Sequence, residues 1–321
     1  MSVGAPKIPV VVAEVVEVND LIKRFRFQRR DGGAMPVFSG GAHVVVEMDD
    51  HGTRRMNPYS LMSSPGETSG YEISVRRDEA GRGGSLYMHN HVRPGMEMVL
   101  SQPVNLFPLD ARAKKHLLIA GGIGITPFVA QMAQLEAMGG RFELHYSVRS
   151  PALGAYVDHL RRHYGPRVHV YHDEFDEKIE LANLLKTQPL GTHVYVCGPK
   201  GMIAWVHATA KAMGWPDRAV HSEEFLAPPV GQAFDVTLAA SGKSITVQPN
   251  QSLLEAIEAA GVDAPYLCRG GACGQCETDV LRCDGHIEHN DHWLTDEQKA
   301  SNTKIMPCVS RFRGAGLVLD R

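Results

Sequence analysis

The chain has 321 residues, 43% of them hydrophobic, and 33 Lys and Arg against 36 Asp and Glu give a formal net charge of -3. That length accommodates two or three domains with ordinary cores, and the near balance of charge leaves no basic footprint for nucleic acid. No basic leader precedes an uninterrupted apolar segment, and the longest apolar stretch, at 116–130, is broken by glycines and a proline and too short to span a bilayer, so the expectation is a cytoplasmic protein without a membrane anchor.

The first block reads as strands. MSVGAPKIPVVVAEVVEVND alternates valine with polar residues, and KRFRFQR, HVVVEM, YEISVRR and MEMVLS follow between DGG, SGG, DDHG and RPG turns. Several short strands at close spacing predict a small antiparallel β-barrel domain over residues 1–111. Within it, Asn57-Pro58-Tyr59-Ser60 and the turn Arg82-Gly83-Gly84-Ser85 stand out. Tyr59 and Ser60 are candidates to flank and hydrogen-bond a flavin ring, and the basic, amide-rich turn is a candidate phosphate site.

After residue 111 the pattern changes. HLLIA, RFELHYSV, RVHVYH and THVYVC alternate with helical stretches such as PFVAQMAQLEAMG, which predicts a parallel α/β sheet over residues 112–228. The first strand runs into Gly121-Gly122-Ile123-Gly124-Ile125-Thr126-Pro127, where glycines admit a pyrophosphate, Thr126 is expected at the N-cap and Pro127 suits the first helical turn. A fourth strand ends in Cys197-Gly198-Pro199, and ligands of open parallel sheets lie at such strand ends. Cys197 reads either as a residue facing a nicotinamide or as a small buried packing residue.

LAPPVGQ at 226–232 reads as a linker to a third unit, residues 233–321. There FDVTL and SITVQ form a hairpin around Ser241-Gly242, Ser252 and Glu255 make a capping box, and Gly261 suits a left-handed C-terminal position. Cys268, Cys273 and Cys276 in PYLCRGGACGQC, with Cys308 in MPCVS, give the C-x4-C-x2-C…C spacing of a plant-type [2Fe–2S] cluster. Gly270, Gly271 and Gly274 are expected to let the loop bend around it. Disulfides are disfavoured by the absence of a secretory signal, and structural zinc fits that spacing less well. His286, His289 and His292 read as a solvated loop, and Cys283 as a buried residue that does not ligate.

Together the blocks resemble the phthalate dioxygenase reductase family, single-chain reductases of Rieske oxygenase systems. The shared phrases are YSL at 59–61, RD…GRGGS at 77–85, AGGIGITP at 120–127, YVCGP at 195–199, H-x-E-x-F at 221–225, the cysteine loop and CVSR at 308–311. The resemblance implies an antiparallel barrel, an α/β nucleotide domain and a β-grasp ferredoxin domain, carrying FMN, NADH and a [2Fe–2S] cluster. It implies that Tyr59, Ser60 and the Val75-Arg76 backbone hold the flavin ring, with Arg82 and Ser85, beside Gly83 and Gly84, at its phosphate. It also implies that Phe225 covers the ring and that Gly121, Gly122, Thr126, Cys197, Gly198 and Pro199 lie around NADH.

The implied acceptor is a Rieske-type aromatic ring-hydroxylating or O-demethylating oxygenase in a transient complex, served by a monomer. A haem monooxygenase or separate ferredoxin is the alternative acceptor, and a redox-responsive nucleotide-binding module the alternative class. Asn57 stands where the family has an arginine. Its missing charge is expected to come from Arg82, Arg54 or Arg55. Glu223 is a candidate neighbour of the nicotinamide, Asp173 of the adenosine ribose, and Ser147 and Arg149 of any 2′-phosphate.

Overall fold

The computed structural model describes residues 6–50 and 52–321. Residues 1–5 of the segment read as an N-terminal strand, and His51 of the DDHG turn, lie outside the described residues.

The first sheet comprises β1 (Ile8–Asn19), β2 (Ile22–Arg29), β3 (Ala42–Asp50), β4 (Thr53–Ser60), β5 (Tyr71–Arg76), β6 (Glu97–Leu100) and the short β7 (Val104–Asn105), with α1 (Gly84–Asn90) after β5. It is a curled antiparallel sheet in the order β4-β3-β6-β1-β2-β5, with β7 beside β3. Alternation explains the curl's inner face: Val10, Val12, Phe25, Phe27, Val44 and Ile73 point into one core. β4 and α1 were not expected. TRRMNPYS lacks period-2 patterning and contains Pro58, yet pairs with β3 throughout its length.

β8 (Lys115–Gly121), β9 (Phe142–Val148), β10 (Val168–His172), β11 (Thr192–Cys197) and β12 (Val220–Glu223) form a parallel sheet in the order β10-β9-β8-β11-β12. β8 is buried at every position after Lys115, as a strand covered on both faces requires. One face packs on α2 (Thr126–Ala137) and α3 (Val157–Tyr164) through Phe128, Met132 and Leu160. The other packs on α4 (Leu181–Lys186) and α5 (Lys200–Ala212) through Leu185, Ile203 and Val206. The strand order reverses between β8 and β11, so the ends of those two strands open a ligand crevice.

The third unit holds β13 (Phe234–Leu238), β14 (Lys243–Val247), α6 (Leu253–Ala259), β15 (Thr278–Glu288), α7 (Asp296–Ser301), β16 (Lys304–Ile305) and β17 (Arg311–Leu319), with sheet order β14-β13-β17-β15-β16. The capping box at Ser252 and Glu255 opens α6, and Gly261 follows it at φ 69°. Leu253, Leu254 and Ile257 are fully buried against the sheet. Each such side chain stabilises the fold by roughly 1.5–3 kcal/mol.

The segment read as a linker is pinned to this unit. Ala227 O accepts from Asn290 Nδ2 at 3.0 Å, and Gln232 O accepts from the fully buried Arg311 at 2.8 Å. A Cβ on Gly231 would stand 2.7 Å from Arg311 Nε, so only glycine lets the chain lie this close. Among the described residues no helix is long and apolar enough to cross a membrane.

Candidate functional site

The four expected cluster cysteines converge. Cys268, Cys276 and Cys308 are each 3% exposed and Cys273 is half-buried. Cys268 is hydrogen-bonded to Cys273, which together with the Gly270, Ala272 and Cys273 amides holds the Cys268 thiol down to about 5. Cys276 bonds Cys308, which lowers the first and raises the second. Four thiols in one buried pocket, with amides aimed at sulfur, fit an iron–sulfur cluster, because thiolates are its ligands and N–H donors stabilise their charge.

The loop's bend comes from Gly271 and Gly274, at φ 73° and 76°, and from Arg269 at 51°; Gly270, also expected to bend, does not take a positive φ. A Cβ on Gly274 would lie 2.3 Å from the Trp293 ring, so the indole packs directly on the loop. Cys283, expected to be buried, is half-exposed on β15. The three histidines do not form a solvated loop: His286 lies on β15 and the His289 side chain is only 9% exposed. His292 Nε2 meets Glu224 Oε2 at 3.0 Å.

A cavity of about 550 Å³ joins the three units. The barrel contributes Asn57, Tyr59, Ser60, Arg76, Arg82, Gly84 and Ser85. The α/β sheet contributes Thr126 and Glu223, Phe225 lies beyond β12, and the cluster loop contributes Cys268 and Arg269. Volume and lining suit a flat aromatic ligand with a polar end. Burial pushes the Tyr59 phenol up to about 12, so it stays neutral, and Asn57 Nδ2 donates to its Oη at 3.3 Å. Phe225 is 49% exposed at the rim.

The expected phosphate end is arranged differently from the sequence reading. Arg82 Nη1 pairs with Glu255 Oε2 of α6 at 2.6 Å, so its charge ties the barrel to the ferredoxin unit. Arg55, 7% exposed, has its Nη2 3.1 Å from where a Cβ on Gly83 would be, with Nε held by Asp50 at 2.8 Å. Gly83 takes φ 102°. Arg54 pairs instead with Glu47 at 2.9 Å. The structure thus brings the buried guanidinium of Arg55 up to the glycine turn from behind, while Arg82 of the turn itself lines the cavity and Arg55 does not.

Val75, Gly83, Gly121, Gly122, Cys197, Gly198 and Pro199 lie outside the cavity wall. Gly121 and Gly198 back onto Met202 and Pro199, and a Cβ on Gly121 would come 2.8 Å from Pro199 Cδ. Gly122 sits at φ 55°, opening a 3-10 turn, Gly122–Ile125, between β8 and α2. That turn moves Thr126 from the expected N-cap to the first residue of α2, where its hydroxyl donates to Ile123 O at 3.0 Å. Cys197 is 1% exposed and burial raises its thiol well above the usual value.

Glu223 is paired in register with Cys197. As a residue it is half-buried, but its Oε2 is enclosed without a hydrogen-bond partner among the described residues, and desolvation pushes the carboxyl up to about 8. The folded chain therefore holds a proton that the unfolded chain releases near 4.5, and stability is lost as pH rises from there to about 8. Glu223→Gln is expected to gain thermal stability relative to the parent from pH 5 to pH 8, by up to about 1.4 kcal/mol per pH unit. Melting curves across that range check it, and parallel curves would place an ionised carboxylate here.

Residues 97–220 match the family model described as dimethylamine monooxygenase subunit DmmA-like, N-terminal domain, and residues 236–313 match the 2Fe-2S iron-sulfur cluster binding domain. The chain is 46% identical to the carnitine monooxygenase reductase subunit of Acinetobacter baumannii, over 97% of each chain. It is also 46% identical to the heme-dependent oxidative N-demethylase beta subunit of Ectopseudomonas mendocina, over 96% of this chain and 97% of that one. Identity to the phthalate dioxygenase reductase of Burkholderia cepacia is 37%, over 92% of each. A solved phthalate dioxygenase reductase, described as a modular structure for electron transfer from pyridine nucleotides to [2Fe–2S], superposes with TM-score 0.88 at 35% identity over 98% of both chains. The chain belongs to the phthalate dioxygenase reductase-like family, the flavin- and iron–sulfur-dependent oxidoreductases that serve oxygenases as reductase components.

Proposed function

We propose that this chain passes electrons from NADH, through FMN in the three-unit cavity and a [2Fe–2S] cluster, to a separate Rieske-type oxygenase component. The observation that carries the order is the shared wall: Cys268 and Arg269 of the cluster loop border the same cavity as Tyr59, Ser60 and Thr126. A Cβ on Gly270 would lie 4.0 Å from Pro58 Cγ, so the barrel and the cluster loop touch. When bound, the flavin supplies a carrier that takes two electrons together and releases them singly.

The chain's residues position and shield. In this reading Tyr59, Ser60 and the Val75-Arg76 backbone orient the ring, and Arg55, Gly83, Gly84 and Ser85 hold its phosphate. Phe225 excludes water from the ring, and Gly121, Gly122, Thr126, Cys197, Gly198 and Pro199 shape the nicotinamide crevice. Glu223, kept protonated by burial, is a neutral donor at neutral pH. The functional units follow as residues 1–111, 112–228 and 233–321, acting as a monomer in a transient complex.

Ser147 Oγ donates to Asp173 Oδ1 at 3.2 Å at the ends of β9 and β10. A carboxylate there accepts a ribose hydroxyl and repels a 2′-phosphate, which supports NADH over NADPH. One relative and one family model favour a second reading of the acceptor: the heme-dependent oxidative N-demethylase beta subunit points to a haem partner, and the dimethylamine monooxygenase subunit DmmA-like model to a monooxygenase acting on a methylated amine. Anaerobic mixing of the reduced protein with candidate oxygenases decides between them. Reduction of a Rieske cluster supports the first reading and a Soret shift the second, and failure with both types overturns the assignment to oxygenases. The same assay is expected to run at least tenfold more efficiently on NADH than on NADPH.

A further inference from the structure

A group of side chains away from the electron-transfer cavity has the chemistry of a metal site. Asp110 lies in the connection between β7 and β8, His193 on β11 and His221 on β12. In the parallel β11/β12 pair Tyr195 stands opposite His221, so His193, two residues before Tyr195, lies on the same sheet face as both. The His193 and His221 rings stack at 5.2 Å between centroids, and His221 stacks on Tyr195 at 4.5 Å.

We propose that Asp110, His193 and His221 bind one divalent transition-metal ion of the zinc type, clamping the connection between barrel and nucleotide unit to edge strand β12. His193 Nδ1 and His221 Nε2 are 2.9 Å apart, and Asp110 Oδ2 is 3.8 Å from His193 Nδ1. The three ligand atoms all lie within 4.8 Å of one another. Two imidazole nitrogens about 2.05 Å from one zinc ion stand about 2.9–3.4 Å apart at octahedral to tetrahedral angles, which the histidine pair already meets.

Two imidazole nitrogens and a carboxylate oxygen are a donor set that zinc takes, and the hydrogen bond between His193 Nδ1 and His221 Nε2 is the contact an ion between them would replace. Arg112 N and Nε donate to Oδ1 at 2.9 and 3.0 Å and its Nη2 to Oδ2 at 2.7 Å, which fixes the carboxylate in the manner of an outer-shell partner. Arg112 and Arg218 are also the cations whose charge bears on His193, and they moderate the affinity. A surface cavity of about 440 Å³, bordered by Asp110, Arg112 and His221, gives an ion and its waters access.

A second cluster, Glu143, His145 and His169, is the contrast. Both His145 nitrogens are already bonded, to Tyr171 Oη at 2.8 Å and Glu143 Oε1 at 2.9 Å, and Lys115 Nζ sits 2.5 Å from Glu143 Oε2. Lys115 pairs with Glu143 as Arg112 pairs with Asp110, so the carboxylates do not separate the two groups; His145 differs in giving Nδ1 to Tyr171, outside the group, whereas His193 and His221 bond each other.

The test is calorimetric titration of Zn²⁺ into full-length, cluster-loaded protein, with cluster absorption followed in parallel and melting measured with and without zinc. One equivalent should bind, the melting temperature should rise and cluster absorption should hold. His193→Ala/His221→Ala should bind none, the milder Asp110→Asn should weaken binding at least tenfold, and His145→Ala should bind as the parent does. No uptake by the parent protein, equal uptake by Asp110→Asn, or uptake that bleaches the cluster would overturn the proposal. The last two readouts decide it even where the double variant fails to fold.

Discussion

Cys308→Ala is expected to abolish NADH-driven reduction of an oxygenase while leaving NADH oxidation by ferricyanide within about twofold of the parent. The thiol is 3% exposed, pairs with Cys276, and belongs to the core of the third unit beside Val309 and Met306. Alanine fills most of the space but offers iron nothing, so three thiolates remain where a [2Fe–2S] cluster needs four. Iron and acid-labile sulfide should fall to background. Ferricyanide takes electrons from flavin directly, so the barrel and the α/β sheet, whose core clusters share no buried residue with that of the third unit, should continue to turn over. Cys283→Ala is the control. Its half-exposed sulfur bonds Gly285 O at 3.6 Å and its side chain packs at the edge of the third unit's core, and the variant should keep full iron and full transfer. A cluster that survives Cys308→Ala would remove that residue from the ligand set.

The cluster was legible because its information is local. Three of the proposed ligands sit in nine residues, and the fourth is the cysteine of a short phrase just before β17. The parallel sheet was legible for a related reason, since strands buried on both faces read as continuous apolar runs. β4 was not, because it presents Thr53, Arg54 and Pro58 in place of an alternating pattern and is held by pairing with β3. Contacts between distant segments left no trace either. Arg82 and Glu255 are 173 positions apart, and each had a sufficient local explanation, as a phosphate arginine and as a helix cap. The Asp110, His193 and His221 group escaped notice for the same reason: the residues occupy three separate segments, and only the order of β11 and β12 brings the two histidines together. The 3-10 turn before α2 shifted Thr126 by a position that no glycine pattern specifies.

Arg55→Ala is expected to weaken FMN binding by about ten- to a hundredfold, the cost of one charge-assisted contact of about 1.5–3 kcal/mol. The side chain is 9% exposed, its Nε is held by Asp50, and its Nη2 lies against the Gly83 backbone. It thus reaches the glycine turn that Asn57, an uncharged residue on the same strand, cannot supply with charge. Arg82→Ala should behave differently. Its guanidinium is bonded to Glu255, which is 8% exposed and also accepts from Ser252 N at 2.8 Å. Removing Arg82 leaves that carboxylate enclosed without a counter-charge, so the barrel should release its hold on the ferredoxin unit. The expected result is slower electron transfer from flavin to cluster in stopped-flow measurements with most of the flavin retained, and Glu255→Gln, which keeps the helix cap, should reproduce it. Equilibrium dialysis of the three variants separates the roles: flavin lost from Arg82→Ala and kept by Arg55→Ala would return the phosphate to Arg82 and reduce Arg55 to a partner of Asp50.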